Sequence, residues 1–202
     1  MHDMVSAIAS SGVSPIVRIR GTDGTLIKRA LDTGAHGLLV PMVNTAEDAR
    51  SVVSFSKFPP RGVRGQGSPF ACFEHGLATP SEYVAAANDN IVNMVQIESV
   101  EALENLDDIC AVQGIDLIFI GPNDLALALL GYTPAKYTEK VFLDTIDRIV
   151  DTAKKHGKKV GILATDGEHA KKLKERFGFV AISADARALQ AWYRKQVEAA
   201  GS

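Results

Sequence analysis

The sequence predicts an α/β fold in which parallel strands alternate with helices. Short runs rich in apolar and β-branched residues alternate with longer segments whose apolar residues recur every three or four positions. Several short runs are apolar almost throughout, as strands covered on both faces must be. No low-complexity linker interrupts this alternation. We therefore expect one domain over residues 1–202, with a parallel sheet and helices outside it.

Six runs are predicted as strands because they are short, apolar and bounded by glycine, proline or polar residues. In chain order they are Pro15–Arg20, Gly37–Pro41, Ile91–Glu98, Ile115–Gly121, Lys158–Leu163 and Phe179–Ser183. Five segments between them have helical spacing: Gly24–Thr33, Thr45–Phe55, Val100–Val112, Lys136–His156 and Glu168–Phe177. Thr45 opens the second of these segments and Ser99 directly precedes the third, and both are predicted helix caps.

An open doubly wound sheet and a (β/α) barrel both satisfy this alternation. A dinucleotide-binding sheet would carry GxGxxG after an early strand, whereas the glycine-rich Arg61–Phe70 follows two prolines, and a Walker phosphate loop is also missing. In a barrel, functional residues lie at the carboxyl ends of the strands. The polar residues described below collect there, which favours the barrel.

Composition excludes several classes of protein. The net charge of −2, from 22 basic and 24 acidic residues, argues against binding to nucleic acid by bulk charge. No apolar run approaches the ~20 residues of a membrane span, and the first residues lack the pattern of a secretory signal. Two distant cysteines form neither a disulfide framework nor a zinc cluster. We expect a cytoplasmic protein that binds neither membranes nor nucleic acid.

Two carboxylates end consecutive predicted strands. Gln96 and Glu98 are two residues apart and therefore share one face of their strand, and Asp124 follows the next strand at a helix start. Each carboxylate alone could simply favour a helix N-terminus. Together they predict a divalent metal site, because hard oxygen ligands with room for water suit Mg²⁺ or Mn²⁺.

Arg18 and Arg20 place guanidinium groups at the end of the first strand, where one could bind a carboxylate or a developing oxyanion. The alternative is an ion pair, for which Asp32 on the following helix is a candidate partner. A general base is harder to find among the five histidines. Only His75, in a long loop, is a plausible candidate, and such a sequence is also ordinary loop material.

Ordered motifs along the chain resemble the HpcH/HpaI aldolase family, the metal-dependent class II pyruvate aldolases. They include PIVRIRG, LIKRALDTGAHGLLVPMVNTAEDAR, PPRGVRG, VQIES, GIDLIFIGPNDL and GILATD. The resemblance implies a (β/α)8 TIM-barrel fold of the phosphoenolpyruvate/pyruvate-binding type. It also implies a divalent cofactor (Mg²⁺, Mn²⁺ or Co²⁺), a keto-acid substrate such as pyruvate, an aldehyde partner and a homo-oligomer.

The resemblance also implies roles for individual residues. Glu98 and Asp124 correspond to the metal ligands, and Gln96 to the glutamine beside the metal and keto acid. Arg18 corresponds to the arginine that stabilises the enolate, whereas the motif does not require Arg20. The remaining correspondences are the carboxylate-binding turn Gly121, Pro122, Asn123 and Asp124, the histidine-supporting Asp32, and Leu163 on the aldehyde side.

Family members begin with two further βα units that carry an Asp-x-Glu-His-Gly segment with the base histidine. This sequence starts after the corresponding point, in agreement with six predicted strands rather than the eight of a closed barrel. The expectation is an N-terminally incomplete barrel with open sheet edges, which favour pairing with another chain.

The leading hypothesis is a lyase that cleaves 4-hydroxy-2-oxo acids to pyruvate and an aldehyde, impaired by the missing base. One alternative is an inactive subunit that binds keto acid and metal or serves assembly. Another is a thioester lyase similar to the citrate lyase β-subunit, although no basic cluster for coenzyme A phosphates is evident. The aldehyde, the physiological metal and the pathway stay open.

Overall fold

The computed structural model describes residues 1–201, which divide into two compact units, Met1–Val160 and Gly161–Ser202. All six strands predicted from the sequence are present, and every observed pairing of strands is parallel. The α/β class is therefore confirmed. The single domain and the incomplete barrel stay predictions.

In the first unit the strands pair in chain order, β1 with β2, β2 with β3 and β3 with β4. These strands are β1 (Ile16–Arg18), β2 (Gly37–Val40), β3 (Val92–Ile97) and β4 (Leu117–Ile120). Its helices are α1 (His2–Ser10), α2 (Gly24–Leu31), α3 (Ala46–Ser56), α4 (Ala71–Glu74), α5 (Pro80–Asn90), α6 (Val100–Glu104), α7 (Leu106–Ala111), α8 (Pro122–Leu130) and α9 (Lys140–Lys155).

The second unit contains most of β5 (Lys159–Ala164), then α10 (Gly167–Leu173), β6 (Phe179–Ile182) and α11 (Asp185–Ala199). β5 and β6 pair in parallel, with Leu163 opposite Ala181. Within residues 1–201, no helix has the length and apolar character needed to cross a membrane.

The core of the first unit lies around β3 and β4. Every residue of β4 is buried, and so is every residue of β3 after Val92. This explains their apolar sequences, because removing apolar surface from water is the main stabilising contribution to folding. The strands therefore form a fixed base for the side chains at their carboxyl ends.

Two lysines secure the backbone just before these central strands. Lys57 Nζ donates hydrogen bonds to the carbonyls of Asn88 and Ile91, and Lys158 Nζ to those of Val112 and Ile115. Burial lowers the pKa of both ammonium groups. The ammonium groups satisfy carbonyls that would otherwise lose their water partners.

Three predicted helices differ from the observed ones, and the one predicted over Glu168–Phe177 ends at Leu173. The segment predicted over Val100–Val112 is divided at Asn105, whose side-chain amide donates to the carbonyls of Asn44 and Glu101. The helix predicted from Lys136 begins instead at Lys140. Tyr137 lies before that helix, and its ring stacks on Phe142 with centroids 4.7 Å apart.

Candidate active site

The carboxyl ends of β1 and β3 bring three predicted site residues together. Arg18 is the last residue of β1, Gln96 lies near the end of β3, and Glu98 follows β3 directly. The parallel register aligns these strand ends, because Arg18 of β1 lies opposite Leu39 of β2, and Leu39 lies opposite Met94 of β3. Side chains that are far apart in sequence consequently face each other at one edge of the sheet.

A chain of hydrogen bonds links these residues. Arg18 Nε donates to Gln96 Oε1 over 3.4 Å, and Gln96 Nε2 donates to Glu98 Oε2 over 2.8 Å. The other carboxylate oxygen, Glu98 Oε1, accepts from the backbone N–H of Met42 at 2.9 Å. Gln96 thus connects the guanidinium to the carboxylate and has its amide orientation fixed by both.

Glu98 is only 2% exposed. Burial raises its pKa, which the Met42 hydrogen bond opposes; the negative charge of Asp124 raises it further, and the positive charge of Arg18 lowers it. Two carboxylates therefore repel each other here, and the guanidinium compensates only part of their charge. Such a site favours an added cation.

Gly121 allows the Glu98 side chain to occupy this position. A Cβ at residue 121 would lie 2.1 Å from Glu98 Oε2 and 3.0 Å from Gln96 Nε2. Gly121 also precedes α8, with Pro122 as the first helical residue. The lack of a side chain at this turn lets the start of the helix approach the carboxylate closely.

The first turn of α8 supplies the remaining predicted contacts. Asn123 and Asp124 are both exposed there, directly after Pro122. Backbone N–H groups in the first turn of a helix lack intrahelical acceptors and carry partial positive charge. This turn is therefore suited to a substrate carboxylate, the role that the resemblance assigns to residues 121–124.

The structure distinguishes Arg18 from Arg20. Both side chains are exposed, but Arg20 lies beyond the end of β1 and has no hydrogen-bond or ion-pair partner among residues 1–201. Arg18 is held by Gln96. Leu163, the predicted aldehyde contact, is a half-buried residue of β5 in the second unit, and its role stays a prediction.

Asp32 lies apart from the strand-end residues. It follows α2, which runs from the carboxyl end of β1 toward the amino end of β2, so it lies at the opposite edge of the sheet from Glu98. Its carboxylate binds Lys28 Nζ at 2.6 Å and Arg64 Nη2 at 3.2 Å. No histidine within residues 1–201 hydrogen-bonds to this carboxylate, and the predicted role of Asp32 stays untested.

His75 lies in the same region as Asp32 and not beside Glu98. Its ring centroid is 4.2 Å from that of His36 and 5.0 Å from that of Tyr83. Burial, with the charge of His36 as the next contribution, lowers the pKa of His75 to about 4. A neutral histidine packed among rings is a structural element of this region, and it does not contact the strand-end residues.

The carboxylate oxygens at this site are suitable ligands for a divalent ion. Glu98 uses each oxygen for a single hydrogen bond, and each oxygen retains a lone pair. No group of three or more histidine, cysteine or acidic side chains that could hold a metal occurs among the described residues. Mg²⁺ nevertheless needs only one or two carboxylates, because it retains several waters and binds substrate oxygens.

Comparison with known proteins decides the family. The profile of the HpcH/HpaI aldolase/citrate lyase family matches residues 1–190. The chain belongs to this family. The aldolase family predicted from the ordered motifs is therefore confirmed, and by resemblance the chain is an aldolase-type enzyme.

Several relatives within the HpcH/HpaI family carry assigned names. A hydroxypyruvate/pyruvate aldolase of Rhizorhabdus wittichii is 39% identical over 196 residues, which are 96% of this chain and 76% of that protein. A 2-keto-3-deoxy-L-rhamnonate aldolase of Salmonella gallinarum is 41% identical over 186 residues, which are 92% of this chain and 68% of that protein. The crystal structure of an HpcH/HpaI aldolase from Desulfitobacterium hafniense superposes with a TM-score of 0.86 at 32% identity. The superposition covers 98% of this chain and 76% of that one.

Sequence reasoning missed two residues at the candidate site. Met42 belongs to the PMVN motif, but its contribution is a backbone N–H aimed at Glu98 from a left-handed conformation, with φ of 52°. Tyr137 lies in the segment before α9 and donates its hydroxyl hydrogen bond to Asn123 Oδ1. No spacing rule indicates either contact; the only available signal was an aromatic residue in a polar segment.

Proposed function

We propose that this chain is a divalent metal-dependent aldolase that cleaves 4-hydroxy-2-oxo acids to pyruvate and an aldehyde. The observation that carries the proposal is the buried Glu98 carboxylate, joined through Gln96 to Arg18 and influenced by the charge of Asp124. The names of the family relatives support the keto-acid substrate. The homo-oligomer predicted from the resemblance belongs to this proposal as well.

Each residue has a defined task in this proposal. Glu98 and Asp124 would hold the ion, and the amides after Gly121 would bind the carboxylate of the keto acid. Arg18 would donate to the keto oxygen as negative charge develops there, and Gln96 would keep the guanidinium in place. A bound divalent ion polarises the keto group and stabilises the enolate.

Exchange of the methyl protons of pyruvate in D₂O with Mn²⁺ tests the proposal, because exchange requires only enolisation. We expect measurable but slow exchange, since a positioned general base contributes about 10²–10⁴-fold and no histidine within residues 1–201 contacts Glu98, Gln96 or Arg18. Glu98→Gln should abolish both exchange and the Mn²⁺-induced rise in melting temperature.

Glu104→Gln is the matched control, because Glu104 is exposed at the end of α6. It should leave exchange and melting temperature unchanged. An unaltered affinity for Mn²⁺ in Glu98→Gln would contradict the metal assignment. Exchange at the full rate of an active aldolase would show that another group supplies the base.

The second candidate is an inactive subunit that binds keto acid and metal. It is favoured by the position of His75, which lies with Asp32 and away from Glu98. Calorimetry distinguishes the two candidates: Mn²⁺-dependent binding of pyruvate without any proton exchange would support the binding subunit and overturn the aldolase.

A further inference from the structure

The segment between α8 and α9 places a tyrosine hydroxyl on the first turn of α8. Tyr137 donates its hydroxyl hydrogen bond to Asn123 Oδ1, and Thr133 Oγ1 donates to the backbone carbonyl of Asn123 over 3.4 Å. Two residues of this segment therefore hold one residue of the proposed carboxylate-binding turn.

Tyr137 is held in turn by the start of α9. Its half-buried ring stacks on Phe142 with an interplanar angle of 20°, and Phe142 is only 2% exposed. Burial raises the pKa of the Tyr137 hydroxyl, and the negative charge of Asp124 raises it further. The hydroxyl is therefore a fixed neutral donor within electrostatic reach of the proposed metal ligand.

This hydrogen bond determines which end of the Asn123 amide is available. Tyr137 occupies Oδ1, so the Nδ2 group carries the free donors, and it has no acceptor within residues 1–201. Asn123 is exposed and adjoins Asp124. The Nδ2 group of Asn123 is therefore an oriented hydrogen-bond donor next to the proposed metal ligand.

We infer that Asn123, positioned by Tyr137, is a specificity-determining residue that selects aldehydes carrying a hydroxyl next to the reacting carbonyl. The inference rests on the proposed aldolase function. A site that hydrogen-bonds a substrate hydroxyl discriminates against the analogue that lacks it, because the donor is then left without its partner. Tyr137 acts as a positioning residue, since it acts on the substrate only through Asn123.

The test compares glycolaldehyde with acetaldehyde as partners for pyruvate in the presence of Mn²⁺. We expect the full chain to prefer glycolaldehyde in kcat/KM, and Tyr137→Phe to reduce that preference by about three- to tenfold, the effect of one hydrogen bond. Tyr132→Phe is the matched control, because Tyr132 lies in the same segment but its hydroxyl donates to Glu139 Oε1 at 3.0 Å. It should keep the preference of the unaltered chain.

A binding measurement keeps the inference separate from the proposed reaction. If neither aldehyde reacts, the aldolase proposal fails, and calorimetry of the Mn²⁺-loaded chain then compares 4,5-dihydroxy-2-oxopentanoate with 4-hydroxy-2-oxopentanoate. A preference for the dihydroxy acid that Tyr137→Phe reduces and Tyr132→Phe keeps would support the inference. Equal affinities, or an equal loss for both aldehydes or both acids in Tyr137→Phe, would overturn it.

Discussion

Replacing Gly121 with alanine is a direct test of how closely the start of α8 approaches the Glu98 carboxylate. The new Cβ would lie 2.1 Å from Glu98 Oε2, whereas non-bonded heavy atoms are optimally about 3.5–4.0 Å apart. The carboxylate must therefore move by roughly 1.5 Å. Such a shift breaks its hydrogen bonds to Met42 and Gln96, which are 2.9 and 2.8 Å long.

The expected cost is steric, because φ of −86° at Gly121 is accessible to any residue. Overpacking of this kind typically costs about 1–3 kcal/mol, and the displaced carboxylate should also weaken binding of Mn²⁺. Urea unfolding measures the loss of stability, and calorimetric titration measures the affinity for Mn²⁺.

Gly21→Ala provides the matched control, since no heavy atom lies within 4 Å of the position where its Cβ would be. Its stability should stay within about 0.5 kcal/mol of the unaltered chain. If Gly121→Ala matched Gly21→Ala in both stability and Mn²⁺ affinity, the close packing inferred around Glu98 would be refuted.

Two further predictions concern charged side chains. Arg18→Lys should slow pyruvate proton exchange by about tenfold or more, because lysine lacks the planar fork that bonds Gln96 and that would bond the keto oxygen in the proposed reaction. Arg20→Lys should change the exchange rate little, and equal effects would reverse the assignment. The pKa of His75 is lowered to about 4 in the folded chain, so the unfolded chain binds a proton first as pH falls below the ordinary value of 6.5. Between pH 7 and pH 4.5 the unaltered chain should therefore lose more stability in urea unfolding than His75→Gln, and parallel losses would contradict the cause given for the shift.

Apolar runs predicted the central strands well because burial on both faces leaves few alternatives. Ile91–Glu98 and Ile115–Gly121 differ from the observed β3 and β4 by only one or two residues at each end. Segments whose limits depend on individual contacts were predicted less well. The four-residue α4 lies within a segment expected to be a loop, since one turn is too short to show helical periodicity.

Parallel topology accounts for how much of the candidate site could be predicted. Because parallel strands end at one edge of a sheet, the positions of Arg18, Gln96 and Glu98 in two apolar runs were enough to expect their proximity. The same rule places Asp32, at the end of a helix, at the opposite edge. Its predicted support of a catalytic histidine came from resemblance, and its observed partners are Lys28 and Arg64.

The contacts that fix the Glu98 carboxylate show why the rest of the site could not be derived from residue types. One contact comes from the backbone N–H of Met42, and the close approach of α8 depends on the missing Cβ of Gly121. A backbone donor and an absent side chain have no signature in composition or spacing. Met42 moreover adopts a φ of 52°, which is uncommon for a residue with a side chain and costs conformational energy. Strain held beside a buried carboxylate is typical of functional sites, and this observation supports Glu98 as the centre of the site independently of its resemblance to the family.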